Sequence, residues 1–434
     1  MVPGGGVNWA RLSALRVNYG LMILVSTVAV LLASIVAVAS LARALPNDFL
    51  SFYYAGQAVA RSTNIYDTLE LRKLAHSGGV PNTVFPYLYS PFLAEVLSLF
   101  AKVPLNRLYR VWLELLVGST ALTGLLACTI HKVSLRGGAA TVVPLMITVI
   151  CVLVLPFTNN YALGQVNLIV MAFVILALVS YLSGCPLLAG ALLAPAVLLK
   201  GTPLVLLGFF LARRSLRAIV GFAAASISLF IVSLIIGGAK PWLDYLAVLP
   251  LFAYGKDIPN LFPATTICNF SPAGHLLRVF TNERELAAML SIALAGSVFA
   301  VAVASAFFAR NRREEALALA LFFPVMIVVA PLAYLHHVIY LVPAAVIWLT
   351  WAFVEKRSVV FGILVLVLAI CGTDWPLHYG NLGQLFARPS SRGLNLFAIG
   401  LVFCIGLLAY GLARRSGTVS FHIGRKVRDM LAIR

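Results

Sequence analysis

The sequence predicts an all-α polytopic membrane protein, and its composition, its apolar runs and the placement of its basic residues support this class. Of the 434 residues, 62% are hydrophobic and 11% are charged, whereas soluble domains carry about 25% charged residues. Apolar runs long enough to cross about 30 Å of hydrocarbon recur along the chain. The net charge of +18 comes from short Lys and Arg clusters between these runs. That pattern is typical of membrane topology and lipid contact, so nucleic-acid binding is not predicted.

About twelve transmembrane helices are predicted from these runs. They lie near residues 19–45, 108–130, 139–156, 162–183, 186–200, 202–212, 217–237, 287–309, 315–333, 338–354, 358–372 and 394–413. The fifth and sixth are short and adjoin at Lys200-Gly201-Thr202-Pro203, so they could form a hairpin that does not fully cross the membrane. The apolar run 91–100 is too short to span comfortably and is interpreted as a helix lying at the membrane surface.

The basic clusters predict how the helices are oriented. They fall at alternate ends of the predicted spans and assign both termini to the cytoplasm, including a basic tail over residues 414–434. The chain is then one transmembrane domain, 1–434, with outer loops at about 46–107, 238–286 and 373–393. Because large loops on one side of a helical bundle commonly carry a site, we predict a multi-pass protein of the cell membrane with an extracytoplasmic site.

Motifs of soluble enzymes are missing from the sequence. It has no P-loop, no G-x-G-x-x-G after a strand, no H-E-x-x-H and no paired C-x-x-C. It also has no D-x-D, which many glycosyltransferases use to hold a metal and a nucleotide sugar. The six cysteines show no paired spacing, so neither a disulfide framework nor a zinc site is indicated. No metal or cofactor is predicted.

Asp48 follows directly on the first apolar run. A carboxylate where lipid gives way to water is partly desolvated, which raises its pKa and makes it a better proton acceptor. We therefore predict that Asp48 is a catalytic base, against the alternative of an interfacial helix cap. Other carboxylates predicted on the same face remain possible bases: Asp67, Glu70, Asp244, Asp257 and Asp374.

Further polar residues stand at helix ends that the predicted topology places on the same face as Asp48. They are Gln165 and Asn167, Lys200, Asn269 with Arg278, and the pair His336-His337. Polar side chains at membrane depth are costly and tend to be functional. Each also has a structural interpretation: Lys200 could extend to the headgroup region, and Gln165 and Asn167 could join helices.

The order and spacing of these residues resemble glycosyltransferase family 87, the polyprenol-phosphate-mannose-dependent mannosyltransferases of the GT-C superfamily. The resemblance runs from about residue 40 to 345. Its elements are Asp48 with Phe52-Tyr53-Tyr54-Ala55-Gly56, Ile65-Tyr66, Tyr87-x-Tyr89-x-Pro91, Gly164-Gln165-Val166-Asn167, Lys200-x-x-Pro203, Asn269-x-Ser271-x-x-Gly274 with Arg278, and Pro331 with His336-His337. The family often has Ser-Pro and Trp before the two histidines, where this chain has Ala330-Pro331 and Tyr334.

The resemblance implies a GT-C-like fold with its catalytic cavity at the outer face. The donor would be a sugar on a polyprenyl phosphate, most often mannose, with arabinofuranose as another possibility. The acceptor would be a lipid-linked or cell-envelope glycan, and the reaction would invert the anomeric centre. Membrane lipids would surround the protein, and no nucleic acid would take part.

The resemblance also implies roles for the residues. Asp48 would be the base, and Lys200, Arg278 and His336 or His337 would stabilise the donor phosphate. Gln165, Asn167 and Asn269 are grouped with the donor-binding residues, although Asn269-x-Ser271 also suits a loop-shaping turn. Tyr53, Tyr54 and Tyr87 would stack on a sugar or line the lipid groove.

The alternative function is a polytopic transporter or lipid-linked-sugar flippase. A transporter tends to show two similar halves with broken helices in matching positions. The break at Gly201 and Pro203 has no partner in the second half of the chain, which favours the enzyme.

Overall fold

The computed structural model describes residues 35, 46–80, 84–134, 155–266, 268–372 and 399–415, and these ranges contain helices, turns and loops but no strand. In the first half the helices are α1 (Asn47–Ala60), α2 (Thr68–Ser77), α3 (Pro91–Ser98), α4 (Leu105–Ser134), α5 (Leu155–Leu163), α6 (Asn167–Leu182), α7 (Pro186–Leu199), α8 (Leu206–Ala212) and α9 (Leu216–Gly237). The second half has α10 (Lys240–Val248), α11 (Pro272–Val279), α12 (Arg284–Phe308), α13 (Arg312–Ala320), α14 (Phe322–Val328), α15 (Val342–Val354), α16 (Ser358–Gly372) and α17 (399–415). Three 3₁₀ helices, Thr202–Val205, Leu249–Phe252 and Leu335–Leu341, lead into or follow these.

Three helices among the described residues are long and apolar enough to cross a membrane, namely Leu216–Gly237, Arg284–Phe308 and Leu335–Val354. They match the helices predicted at 217–237, 287–309 and 338–354 in position, length and composition. α5 and α6 pass the same test together but meet at a bend of 120°. The total of about twelve spans stays a prediction, because 19–45 except Ile35 and most of 139–156 lie outside the described residues.

The predicted fifth and sixth spans and the predicted surface helix appear as short helices. α7 and the segment Thr202–Ala212 are apolar but shorter than a full span, and they are separated at Lys200-Gly201 as the sequence indicated. α3 covers most of the run 91–100.

The prediction of one continuous helix over 315–333 is wrong. The structure has α13 and α14, which are separated at Leu321 and followed by a turn. Pro324 explains the break, because it has no backbone N–H for the carbonyl of Ala320 and its ring clashes with that carbonyl. α13 therefore ends at Ala320, and the chain resumes as a separate turn of helix.

α7 lies closely against α9, and two glycines make this approach possible. A Cβ at Gly190 would stand 1.8 Å from the carbonyl oxygen of Ala218, and one at Gly221 would stand 2.0 Å from that of Leu187. Small residues at helix interfaces are the usual means of close packing in membranes. α7 also packs against α6. Lys200 directly follows α7, so this packing places it inside the bundle.

α15 and the 3₁₀ helix that precedes it form the centre of the bundle. Of the most apolar 18-residue stretch in Leu335–Val354, 89% is buried, as expected for a helix that is apolar all round. Trp348 fills the space beside Gly406 of α17, where a Cβ would come within 2.2 Å of the indole ring. The two ends of this central segment are the histidine pair and Glu355.

Arginines collect at the Glu355 end. Arg213 pairs with buried Glu315 at 3.1 Å and also donates to the carbonyl oxygens of Ala306 and Ala309. Arg313 pairs with Glu355 at 2.8 Å. These contacts join the ends of α8, α12, α13 and α15 at one side of the bundle.

Glu95 is a fully buried carboxyl group on α3, near the junction of α9 and α10. Its Oε2 atom hydrogen-bonds Ser233, whose hydroxyl also accepts from the indole N–H of Trp242 at 2.8 Å. Its Oε1 atom has no partner among the described residues. Burial raises the pKa of Glu95 to about 7, and the hydrogen bonds from Ser233 and Trp242 act in the opposite direction. The folded protein therefore retains a proton at pH values where the unfolded chain has released it.

The substitution Glu95→Gln is expected to remove part of the pH dependence of stability. Because folding raises the pKa of Glu95 from 4.5 to about 7, stability is highest while the group is protonated and declines as pH rises through that window. The wild-type melting temperature should fall between about pH 5 and pH 8 more than that of Glu95→Gln, which is neutral throughout. The exposed Glu70→Gln serves as the control. Parallel profiles for wild type and Glu95→Gln would contradict the assignment.

Candidate active site

Asp48 lies in the first turn of α1. Pro46 before the helix is extended, with φ −75° and ψ 105°, and a carboxylate in the first helical turn is favoured by the aligned backbone dipoles. Burial raises the pKa of Asp48 to about 6, with a hydrogen bond from Gln165 and the nearby Lys200 acting in the opposite direction. The carboxylate can therefore take up and release a proton near neutral pH.

The loop between α5 and α6 brings Gln165 to Asp48. Gly164 has φ +67°, and a Cβ there would lie 2.7 Å from Cβ of Phe49, so both the turn and the close approach require glycine. The indole of Trp112 donates to the Gly164 carbonyl oxygen at 2.8 Å and fixes the turn. As a result, Gln165 Nε2 donates to Asp48 Oδ2 at 2.7 Å.

Gln165 also connects Asp48 to the Lys200 side of the site. Its Oε1 atom accepts from the Tyr89 hydroxyl at 2.9 Å, and Nζ of Lys200 stands 5.6 Å from the centre of the Tyr89 ring. Both ends of the Gln165 amide are thus bonded to protein groups. In this structure the amide of Gln165 contacts the predicted base, whereas the sequence predicted that it binds the donor.

Asn167 lies at the centre of a second set of hydrogen bonds. Its Oδ1 atom accepts from Lys200 Nζ at 2.7 Å and from the Tyr340 hydroxyl at 2.9 Å. Its Nδ2 atom donates to Asn160 Oδ1 at 3.0 Å, and Asn160 in turn donates to the His336 carbonyl oxygen at 2.9 Å. Asn167 is fully buried, so it holds Lys200 in position.

The two histidines lie in the 3₁₀ helix that leads into α15, and both are buried. His337 Nε2 is 2.6 Å from Lys200 Nζ, and His337 Nδ1 accepts from the backbone N–H of Tyr334 at 2.8 Å. The His336 ring packs against His337 and Tyr334, with centroids 4.4 Å and 5.7 Å away. Of the pair, His337 is the one that contacts Lys200.

Asn269 joins its own loop to residues 331–333, beside the histidine segment, through side-chain hydrogen bonds. Its Oδ1 accepts from the N–H groups of Ser271 and Ala333, and its Nδ2 donates to the carbonyl oxygens of Ala264 and Pro331. A Cβ at Gly274 would stand 2.5 Å from Asn269 Cγ, which explains why the motif has glycine there. The loop-shaping interpretation of this motif matches these contacts.

Arg278 reaches the same loop. Its Nη1 atom donates to the carbonyl oxygens of Thr266 and Asn269, at 2.7 Å and 3.1 Å. It thereby supports the loop that packs on residues 331–333. A role at the donor phosphate stays a prediction.

The three predicted groove tyrosines lie in the packed core near the site. Tyr53 donates to the Val103 carbonyl oxygen at 3.0 Å, and Tyr87 donates to that of Ser90 at 2.7 Å. Tyr54 is 4% exposed and Tyr87 is 1% exposed. Of the three, Tyr87 packs against Tyr89, with ring centroids 5.7 Å apart, and contact of any of them with a substrate stays a prediction.

Comparisons with known proteins identify the family. The sequence profile of glycosyltransferase family 87 matches residues 87–333, more than half of the chain. The chain belongs to glycosyltransferase family 87. The match begins after Asp48, so the predicted base is not part of the matched region.

Proteins similar to this chain include mannosyltransferases of mycobacteria. One from Mycolicibacterium smegmatis is a polyprenol-phosphate-mannose-dependent alpha-(1-2)-phosphatidylinositol mannoside mannosyltransferase, 27% identical over 266 residues, covering 58% of each protein. Another from Mycobacterium tuberculosis is the corresponding pentamannoside mannosyltransferase, 27% identical over 342 residues, covering 76% of this chain and 73% of the relative. This chain therefore spans less than two thirds of the first of these relatives.

The other carboxylates that were possible bases have surface roles where the structure describes them. Asp67 caps α2 through the N–H groups of Leu69 and Glu70. Glu70, Asp244 and Asp257 form ion pairs with Lys73, Lys240 and Arg284, respectively. Asp374 lies outside the described residues. Among the candidate bases that the structure describes, Asp48 is the one that joins the buried polar network.

Three residues of the site were not among the predicted site residues: Tyr89, Asn160 and Tyr340. Tyr89 is two positions from Tyr87 in the same motif, and Asn160 interrupts an apolar run, which was an available signal. Tyr340 had no such signal because tyrosines are common at membrane interfaces. Groups of three or more potential metal ligands do not occur among the described residues, and the prediction of metal-free catalysis stays a prediction.

The substitution Asn269→Ala should destabilise the protein strongly. It removes the side-chain partners of the N–H groups of Ser271 and Ala333 and of the carbonyl oxygen of Ala264, and each unsatisfied buried group costs about 1–3 kcal/mol. Thermal unfolding in detergent should show a melting temperature well below wild type. Asn260→Gly is a matched control, since Asn260 is exposed and already has φ +63°. A normal melting temperature with a specific loss of donor binding would instead support the predicted ligand role.

Proposed function

We propose that this chain is an inverting membrane mannosyltransferase that moves mannose from a polyprenyl-phosphate carrier to a glycolipid or cell-envelope glycan. The observation that carries the proposal is the placement of Asp48: its carboxylate is fixed by Gln165 in a buried polar network that also holds Lys200 and His337. Family membership and the names of the mycobacterial relatives support this donor class.

Asp48 acts as the general base. An acceptor hydroxyl attacks the anomeric carbon, and its proton passes to the Asp48 carboxylate. The bond from that carbon to the phosphate oxygen breaks with its electron pair on the phosphate, so polyprenyl phosphate leaves with one additional negative charge. One carboxylate suffices because an inverting transfer has no covalent intermediate.

Lys200 stabilises the departing phosphate. Its amine is held by Asn167 and lies next to Tyr89, which limits its rotation. A preorganised group aimed at developing charge stabilises a transition state without reorganisation during the step. Gln165 and Asn167 contribute by orienting Asp48 and Lys200.

The site faces the outer side of the membrane in this proposal. The 3₁₀ helix with His337 precedes α15, and Glu355 with its partner Arg313 follows it. α15 alone has 13 residues, about 20 Å at 1.5 Å per residue. The arginine-rich end therefore lies opposite the site, and the positive-inside rule assigns arginine-rich ends to the cytoplasm.

The substitution Asp48→Asn should reduce mannose transfer by about 10² or more, the scale of removing a general base. Asn preserves the size of the side chain and removes proton-accepting capacity. Transfer from polyprenyl-phosphate-mannose to extracted membrane glycolipids would be measured in proteoliposomes. Asp67→Asn is the matched control, because Asn also caps helices well. Equal transfer by wild type and Asp48→Asn would show that Asp48 is not the base. A wild type that transfers from no donor offered would favour the transporter.

Transfer should also show an acid limb near pH 6 in kcat/KM. The pKa of Asp48 is raised to about 6, so the base form is lost as pH falls below that value. Because the hydrogen bond from Gln165 lowers this pKa, Gln165→Met should move the limb to higher pH. A limb that stays in place in Gln165→Met would assign it to another group.

A further inference from the structure

His337 has both ring nitrogens occupied. Nδ1 lies 2.8 Å from the Tyr334 backbone nitrogen, and Nε2 lies 2.6 Å from Lys200 Nζ. A backbone N–H can only donate, so Nδ1 must be the unprotonated, accepting nitrogen. The proton of a neutral imidazole then resides on Nε2, and that N–H is directed at Lys200.

This arrangement determines the state of the Lys200 amine. An ammonium group has three donors and no lone pair, so it cannot accept the Nε2–H of His337. A free amine can accept that proton through its lone pair and donate one of its own N–H groups to Asn167 Oδ1, 2.7 Å away. The Asn167 amide is oriented for this by its Nδ2 donation to Asn160 Oδ1.

Few charged groups face Lys200. Asp48 on α1 is the acidic group that interacts with it, and His336 and His337 flank it from the 3₁₀ helix. Tyr89 and Tyr340 present neutral phenols from two further segments. Asp48 in turn makes its direct hydrogen bond to Gln165, and within the part of the chain that the structure describes Lys200 forms no ion pair with a carboxylate.

We propose that His337 is a positioning residue that holds Lys200 as a free amine in the empty site, and that Lys200 takes up one proton when the donor phosphate binds. This inference rests on the proposed function. The proton comes from solvent and converts the amine to an ammonium, which must turn away from His337 Nε2–H and toward the phosphate oxygens. After polyprenyl phosphate departs, the proton returns to solvent and the contact with His337 re-forms.

Two consequences follow for the reaction. An uncharged amine exerts little attraction on the anionic headgroups of ordinary membrane lipids, so the empty site is not blocked by them. When the donor is bound, the new positive charge lowers the pKa of Asp48 and keeps the base ionised in the complex that reacts. His337 therefore serves through Lys200 and does not itself contact the phosphate.

Calorimetric titration measures the number of protons taken up when the donor binds. Purified protein in detergent is titrated at about pH 8 with a short-chain prenyl-phosphate-mannose, in buffers of different ionisation enthalpy. At this pH an ordinary lysine is already charged and an ordinary histidine is neutral. Wild type should take up about one proton per donor bound, and its affinity should fall about tenfold per pH unit above pH 8. Lys200→Arg, which is always charged, should take up none.

Two variants distinguish the effects of His337 and His336 on proton uptake. His337→Phe removes the donor that requires a free amine, so proton uptake should decline and affinity at alkaline pH should rise relative to wild type. His336→Asn keeps the contact between His337 and Lys200, and its uptake should match wild type.

Three outcomes would overturn the inference, and a fourth would contradict the proposed function. Donor binding by wild type without proton uptake overturns it, and so does uptake that persists in Lys200→Arg. If Lys200→Arg binds too weakly to titrate, unchanged uptake in His337→Phe overturns it. Absence of donor binding to wild type contradicts the proposed function itself, so the two failures are distinct.

Discussion

The hydrogen bond from Gln165 to Asp48 is the contact on which the arrangement of the site depends. It joins the first turn of α1 to the loop between α5 and α6, two segments that are far apart in sequence. The bond forms because Gly164 adopts a positive φ and lies against Phe49 where no side chain would fit. A single glycine therefore sets both the bend of the broken helix and the orientation of the carboxylate.

The remainder of the site follows from the need to satisfy buried polar groups inside an apolar bundle. Within hydrocarbon, water is not available, so each polar group has to find its partner in the protein. Asn167 meets this need by accepting from Lys200 and Tyr340 and donating to Asn160. The same bonds that satisfy the interior also remove the rotational freedom of Lys200, so stability and preorganisation have one cause.

The sequence predicted which polar residues lie close together better than it predicted which groups they contact. Asp48, Gln165, Lys200 and His337 come together as expected from their positions at helix ends. Gln165 and Asn167 were expected at a sugar, yet their amides are used by Asp48 and Lys200, because helices that are apolar all round give no indication of which way a polar side chain points. The prediction also placed three tyrosines in a substrate groove: Tyr53, Tyr54 and Tyr87. A sequence rich in aromatic residues does not show whether they pack in the core or line a groove. The break at Pro324 was readable from the chain, but hydrophobicity over 315–333 outweighed it in the prediction.

The two ends of the bundle differ in how their charged side chains are paired. At the Glu355 end, Arg213 and Arg313 pair with Glu315 and Glu355, and these ion pairs hold helix ends together. At the other end, Asp48 and Lys200 are joined to neutral amides, a phenol and an imidazole instead of to each other. An ion pair between them would compensate both charges and leave neither free to respond to a substrate. Separating them with Gln165, Tyr89 and Asn167 costs stability in a buried site. In the proposed mechanism, this separation leaves Asp48 able to accept a proton and Lys200 able to bind an anion.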